Sequence, residues 1–60
     1  MKEYRVVDIY EEFDVLGIVN SKADARRLAR ERAKDTDDEC YIILQENVLG
    51  YWIPVENWVY

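Results

Sequence analysis

The sequence predicts a small α+β domain of order ββαββ, in which one helix packs on one face of a four-stranded antiparallel or mixed sheet. Residues 21–34, SKADARRLARERAK, form the single convincing helix, and two segments rich in β-branched and aromatic residues lie on either side of it. The sixty residues make one domain, residues 1–60. Because a chain of this length buries only about 60% of its unfolded surface, it is marginally stable unless its core is dense or copies associate.

The first two strands are predicted at residues 4–10 and 13–19, separated by Glu11 and Glu12, which form a polar break. The short gap favours a hairpin, although two glutamates are poor turn residues and a longer loop is an alternative. Regular alternation places Leu16 on the face opposite Gly17. A glycine inside a strand indicates either a bulge or a close approach by the helix.

The predicted helix has a start signal and an inner face. Ser21 is a good N-cap, and Asp24, three residues later, completes a capping-box-like pair. Spacings of three and four residues put five side chains on the inner face: Ala25, Leu28, Ala29, Arg32 and Ala33. We expect Leu28 to be the main anchor of this face, because each alanine buries little apolar area.

The last two strands are predicted at residues 40–45 and 51–55. The first of them is apolar on both faces over four residues, which favours a central position in the sheet. Pro54 cannot donate a backbone hydrogen bond to a neighbouring strand, which favours a sheet edge for the second. Residues 56–60 are interpreted as a short aromatic tail.

A single helix covers only one side of a sheet, yet the predicted strands carry apolar residues on both sides. The second side must therefore be covered or used for binding. Three candidates for the cover remain open: the aromatic tail folding back, a second copy of the chain, or a different partner.

The residue types predict no catalytic residues, no metal site and no cofactor. The chain has no histidine and no glycine-rich phosphate loop, and Cys40 follows three acidic residues, which disfavour a reactive thiolate. The acids at 35–39 are interpreted as a solvated turn, since Cys40 occupies the position where a calcium loop requires glycine. We predict no small-molecule substrate. The single cysteine and the lack of a leader or an apolar span predict a cytoplasmic protein without membrane contact.

Charge is distributed unevenly along the chain. Residues 21–34 carry a net charge of +4 and the remainder carries −9, which gives the total of −5. This uneven charge, with a basic helix on an otherwise acidic protein, allows two functional interpretations. The helix could contact nucleic acid through Lys22, Arg26, Arg27, Arg30 and Lys34. Alternatively, the acidic surface could imitate nucleic acid and block a protein that binds it.

Aromatic residues are concentrated at the end of the chain. The predicted protein interface comprises Tyr51, Trp52, Trp58 and Tyr60, because such side chains combine large apolar area with a polar group. A small core also needs aromatic residues, and one of the two tryptophans is expected to serve it. An aromatic edge strand also favours pairing between copies.

The sequence therefore predicts a small acidic, non-catalytic protein-binding module, which self-associates with a dimer favoured and acts as an inhibitor or regulator of a larger protein or complex. Nucleic-acid binding and nucleic-acid mimicry are the alternatives. Size and acidity are typical of small accessory or inhibitor proteins of bacteria and their phages, although no motif identifies a family.

Overall fold

The computed structural model describes residues 2–60 and has the ββαββ order that the sequence predicts. The elements are β1 (Tyr4–Asp8), a 3-10 turn (Ile9–Glu11), β2 (Asp14–Val19), α1 (Lys22–Asp35), β3 (Tyr41–Val48) and β4 (Tyr51–Val59). The four strands form one antiparallel sheet in the order β2-β1-β3-β4. This confirms the predicted fold, the central place of β3 and the edge position of β4.

The core lies between α1 and one face of the sheet. Ser21 caps the helix as predicted, because its Oγ accepts a hydrogen bond from the Asp24 backbone N–H at 3.2 Å. Ala25 and Ala29 are fully buried, and their small side chains let the helix lie close to β1 and β2. Seven residues form the buried cluster: Tyr4, Val6, Ala25, Ala29, Cys40, Ile42 and Leu44.

Leu28 lies at the margin of this core. It is only partly buried and packs against the edge of the cluster, whereas Ile42 and Leu44 on the central strand are fully buried. The expectation that Leu28 is the main anchor of the helix face stays a prediction, while the largest fully buried side chains of the core lie on the central strand. The central strand supplies the anchors because it is covered by side chains from both of its neighbours and from the helix.

A bulge in β2 changes which side chains reach the core. The register shifts between Val6 and Val7, so that Val6 faces Gly17 while Val7 faces Val15, and Leu16 becomes the additional residue. Leu16 consequently packs against the core, and the prediction that it lies on the opposite face from Gly17 is wrong. Gly17 combines both predicted roles, since a Cβ atom there would lie 2.9 Å from Leu28 Cδ1.

The connection between β1 and β2 is longer than a two-residue hairpin turn. Asp8 begins it, since its Oδ1 accepts a hydrogen bond from the Tyr10 backbone N–H at 3.1 Å, and the 3-10 turn follows. Glu12 and Phe13 then adopt left-handed conformations, with φ of 56° and 60°. Polar and aromatic residues at these positions are thus held in a tight turn rather than in extended strands.

Strand β4 extends further than the sequence predicts. It continues from Tyr51 to Val59, and the ladder ends where Cys40 and Tyr60 exchange two backbone hydrogen bonds of 3.0 and 2.9 Å. Residues 56–60 are therefore part of the edge strand and not a separate tail. Since this segment is held at the edge of the sheet, the tail cannot fold back as the cover of the second face.

Candidate functional site

The side of the sheet that faces away from α1 carries the candidate site, which we call the open face. Directly paired residues of neighbouring strands share a face, so the register identifies its members. From β2 to β4 they are Val15 and Ile18, then Arg5 and Val7, then Tyr41, Ile43, Gln45 and Asn47, then Trp52, Pro54, Asn57 and Val59. No helix or strand of residues 2–60 lies over this face, but Tyr10 of the 3-10 turn packs on Tyr41 at one end of it, with ring centroids 5.9 Å apart, and Val7 is only 2% exposed.

Polar side chains bonded to one another occupy the middle of the open face. Arg5 Nε donates a hydrogen bond to Gln45 Oε1 at 2.8 Å, and the guanidinium lies over the Trp52 ring, 4.5 Å from its centroid. Asn57 Nδ2 donates to the Tyr41 hydroxyl at 2.9 Å. The guanidinium holds the indole in place, so that Trp52 is a pre-oriented aromatic contact.

Apolar side chains flank this polar middle on both edge strands. On β2, Ile18 is 56% exposed and Val15 is also exposed. On β4, Val59 is 57% exposed, and a shallow depression of about 230 Å³ lies between Ile43 and the bulged segment 54–57. The open face therefore has two apolar margins that remain in contact with water in the single chain.

The open face carries almost no net charge. Arg5 is its one cation, and Glu3, which precedes β1, is its one nearby anion. The Glu3 carboxylate accepts a hydrogen bond from Asn47 Nδ2 at 2.9 Å. The charges of the chain, which sum to −5, therefore lie mainly on the helix side of the sheet and in the loops.

The four aromatic residues predicted as an interface do not form a single surface. Trp58 pairs with Ile42 and packs against the core, whereas Trp52 pairs with Asn47 on the open face. Six residues separate the tryptophans, which regular alternation would place on one face. The register shift of β4 between Leu44 and Gln45 adds one residue and sends them to opposite faces.

Tyr51 and Tyr60 lie at the two ends of β4. Tyr51 is 73% exposed at the start of the strand, opposite Val48, and Tyr60 is exposed just beyond its end. Of the predicted set, Trp52 is thus the half-buried aromatic residue of the open face, near the start of edge strand β4, while Trp58 packs against the core.

No protein-family model, curated protein or solved structure matches the chain. The site must therefore be interpreted from its own geometry.

The basic stripe predicted for nucleic-acid contact is divided by the structure. Glu56 of β4 binds Lys22 at 3.1 Å and Arg26 at 3.5 Å. The hydrogen bond from Lys22, together with the positive charges of both bases, lowers the pKa of Glu56, although partial burial opposes the shift. Arg27 pairs with Asp24 at 3.5 Å. These carboxylates reduce the positive potential of the stripe and leave Arg30 and Lys34 as its exposed end.

A buried ion pair ties α1 to the first hairpin. Asp8 is 2% exposed, and its Oδ2 lies 3.3 Å from Arg32 Nε, while the Arg32 guanidinium also contacts the Asp14 carboxylate. The sequence places Arg32 on the inner face of the helix but does not identify its partners. An aspartate inside an apolar strand is the signal that could have identified Asp8, because a buried carboxylate requires a cation or several donors.

The remaining chemistry-bearing groups do not cluster. Within residues 2–60, no group of three or more His, Cys, Asp or Glu side chains is arranged to hold a metal ion. No helix in the same range is long and apolar enough to cross a membrane.

We expect the Cys40 thiol to resist modification in the folded protein. Burial raises its pKa above the ordinary value of 9.0, and the neighbouring Asp8 raises it further, while Arg32 opposes the shift. A raised folded-state pKa stabilises the fold below pH 9.0, and this contribution is lost as the pH rises through the folded-state pKa. Reaction with a thiol reagent at neutral pH should be at least about 100-fold slower than in denaturant. Equal rates in the two conditions would contradict the burial of Cys40.

Proposed function

We propose that this protein is a small non-catalytic binding module that contacts another protein through the open face and regulates or inhibits that partner. The observation that carries the proposal is the one-sided packing of the sheet. A helix packs on one face, mainly over β1 and β2, while the other face carries exposed apolar side chains on both edge strands and a half-buried indole beside a guanidinium. Exposed apolar side chains gathered on one face of a sheet are typical of protein interaction sites.

Within this proposal Trp52 is the anchor and the acidic loops guide the encounter. A tryptophan held by a guanidinium loses little conformational freedom on binding, which favours affinity. The acids of the loops and of the helix side give the molecule its negative field, and such fields raise association rates with basic proteins. The proposed setting is cytoplasmic and separate from membranes.

Nucleic-acid binding is the second candidate, and exposed Arg30 and Lys34 at the end of α1 support it. The pairing of Lys22 and Arg26 with Glu56 disfavours it, because phosphates would have to displace an existing carboxylate. Mimicry of nucleic acid by the acidic surface is a further alternative. This alternative is weakened because bases of α1 already neutralise three of the acids, Asp8, Asp14 and Glu56.

A comparison of two tagged variants with the wild type tests the proposed surface. We expect a protein captured from the native host by the wild type to bind Trp52→Ala at least about 30-fold more weakly, since an aromatic anchor residue of an interface contributes about 2 kcal/mol or more. Leu49→Ala is the matched control, because Leu49 is 93% exposed at the turn between β3 and β4 and lies outside the open face. It should bind as the wild type does.

Two outcomes would contradict the proposal. One is unchanged affinity in Trp52→Ala when circular dichroism shows that the variant is folded. The other is binding of mixed-sequence DNA or RNA that weakens steeply with salt and is lost in Arg30→Gln. The second outcome would support the nucleic-acid candidate instead.

A further inference from the structure

We propose that the open face binds a second copy of this chain, so that two sheets pack face to face in a symmetric dimer. The inference rests on the proposed function and specifies the partner of the same surface. It also changes the mode of self-association that the sequence suggests, from pairing of edge strands to packing of sheet faces.

The charge distribution favours a second copy on this face. Two molecules that each carry −5 repel one another, and the repulsion is least where the contacting surfaces are neutral and distant from the acidic loops. The open face has one cation, Arg5, and one nearby anion, Glu3. A two-fold axis brings two of each to the interface, so the surfaces are balanced.

The arrangement of side chains across the sheet is compatible with two-fold symmetry. Exposed apolar side chains lie on both edge strands, Val15 and Ile18 on β2 and Val59 on β4, and the strands between them carry both polar and apolar residues. A two-fold axis along the strands would place β2 of one copy over β4 of the other, and an axis across the strands would place each strand over its own copy. In both cases the edge strands meet edge strands, and β1 and β3 meet in the middle. Ile18 and Val59, which are 56% and 57% exposed in one copy, would both be buried.

The size of the face predicts a weak dimer. Strands of five to nine residues with the usual spacing give a flat area of about 400 Å² per copy, which is about half of what each partner contributes to a standard interface. Such an area suits an exchanging dimer that a larger partner can displace. Pairing through the free edge of β4 is less favourable, because Pro54 and the adjacent bulge interrupt that edge.

Sedimentation equilibrium over concentrations from about 10 µM to about 1 mM tests the proposal. We expect the wild type to form a reversible dimer and Ile18→Lys to raise the dimer dissociation constant at least about 100-fold, because each copy would bury one unpaired ammonium group. Leu49→Lys is the matched control, since it places the same charge at a turn outside the face, and should dimerise as the wild type does. Circular dichroism verifies that both variants are folded.

A wild type that stays monomeric throughout this range would overturn the inference. So would an unchanged dissociation constant in folded Ile18→Lys. Ile18 lies on β2, about 15 Å across the sheet from β4, so a dimer that pairs β4 edges would not respond to it. A monomeric wild type whose captured partner is lost in Trp52→Ala would overturn the dimer and leave the proposed function intact.

Discussion

Replacement of Leu44 with alanine is expected to remove a large part of the free energy of unfolding. Leu44 is fully buried at the centre of the sheet, where Val6 and Glu56 face it across the neighbouring strands. Truncation of a buried leucine costs about 2–5 kcal/mol, and a domain of this size has only about 3–5 kcal/mol in total. Thermal denaturation followed by circular dichroism should show a loss of at least about 10 °C in Tm.

Leu49→Ala is the control for this prediction, because it makes the same chemical change at a side chain that is 93% exposed. Its free energy of unfolding should lie within about 0.5 kcal/mol of the wild type. Leu28→Ala should fall between the two, since Leu28 is partly buried. A Leu28→Ala variant less stable than Leu44→Ala would show that the helix, and not the central strand, anchors the core.

Replacement of Arg32 with methionine is expected to destabilise the fold by about 2–4 kcal/mol. Methionine retains the apolar part of the side chain but leaves the Asp8 carboxylate, which is 2% exposed, without its cation. Removal of one partner of a buried pair costs about 3–5 kcal/mol, and the 26% exposure of the Arg32 side chain lowers that figure. Urea denaturation measures the change.

Arg30→Met supplies the control, because Arg30 is exposed on the same helix. It should change the free energy of unfolding by no more than about 0.5 kcal/mol. Asp8→Asn combined with Arg32→Met should cost less than the sum of the two single changes, because the pair acts as a unit. Additive costs would mean that Asp8 and Arg32 do not interact in the folded protein.

The order of the elements follows directly from the sequence, whereas the extra residues within strands do not. Ser21, the alanine face and the β-branched segments each act locally, so they predict the helix and the four strands. Alternation predicts the wrong face for Leu16, because the position of a bulge depends on the neighbouring strand and on the space above Gly17. Alternation alone carries no information on where one residue is inserted.

The candidate site was predictable only as an uncovered sheet face. The composition and the fold class together predict that one helix leaves one side of the sheet open. They do not predict that Trp52 and Trp58 lie on opposite faces, because this placement results from the bulge opposite Leu44 and Gln45. Likewise, Glu56 reaches Lys22 and Arg26 only because β4 continues beyond residue 55. The sequence of residues 56–60 does not predict this continuation, because its aromatic residues also suit a separate tail.

The central claim is that the open face is the surface through which this protein binds, and methyl and amide NMR spectra recorded as a function of protein concentration test it most directly. We expect concentration-dependent shifts for Val15, Ile18, Ile43 and Val59 and for the Trp52 indole, with Ala25 and Ala29 on the helix unchanged. Shifts confined to α1 or to the turn at Leu49 would contradict the account, and spectra that do not change at all would contradict a second copy of the chain as the partner.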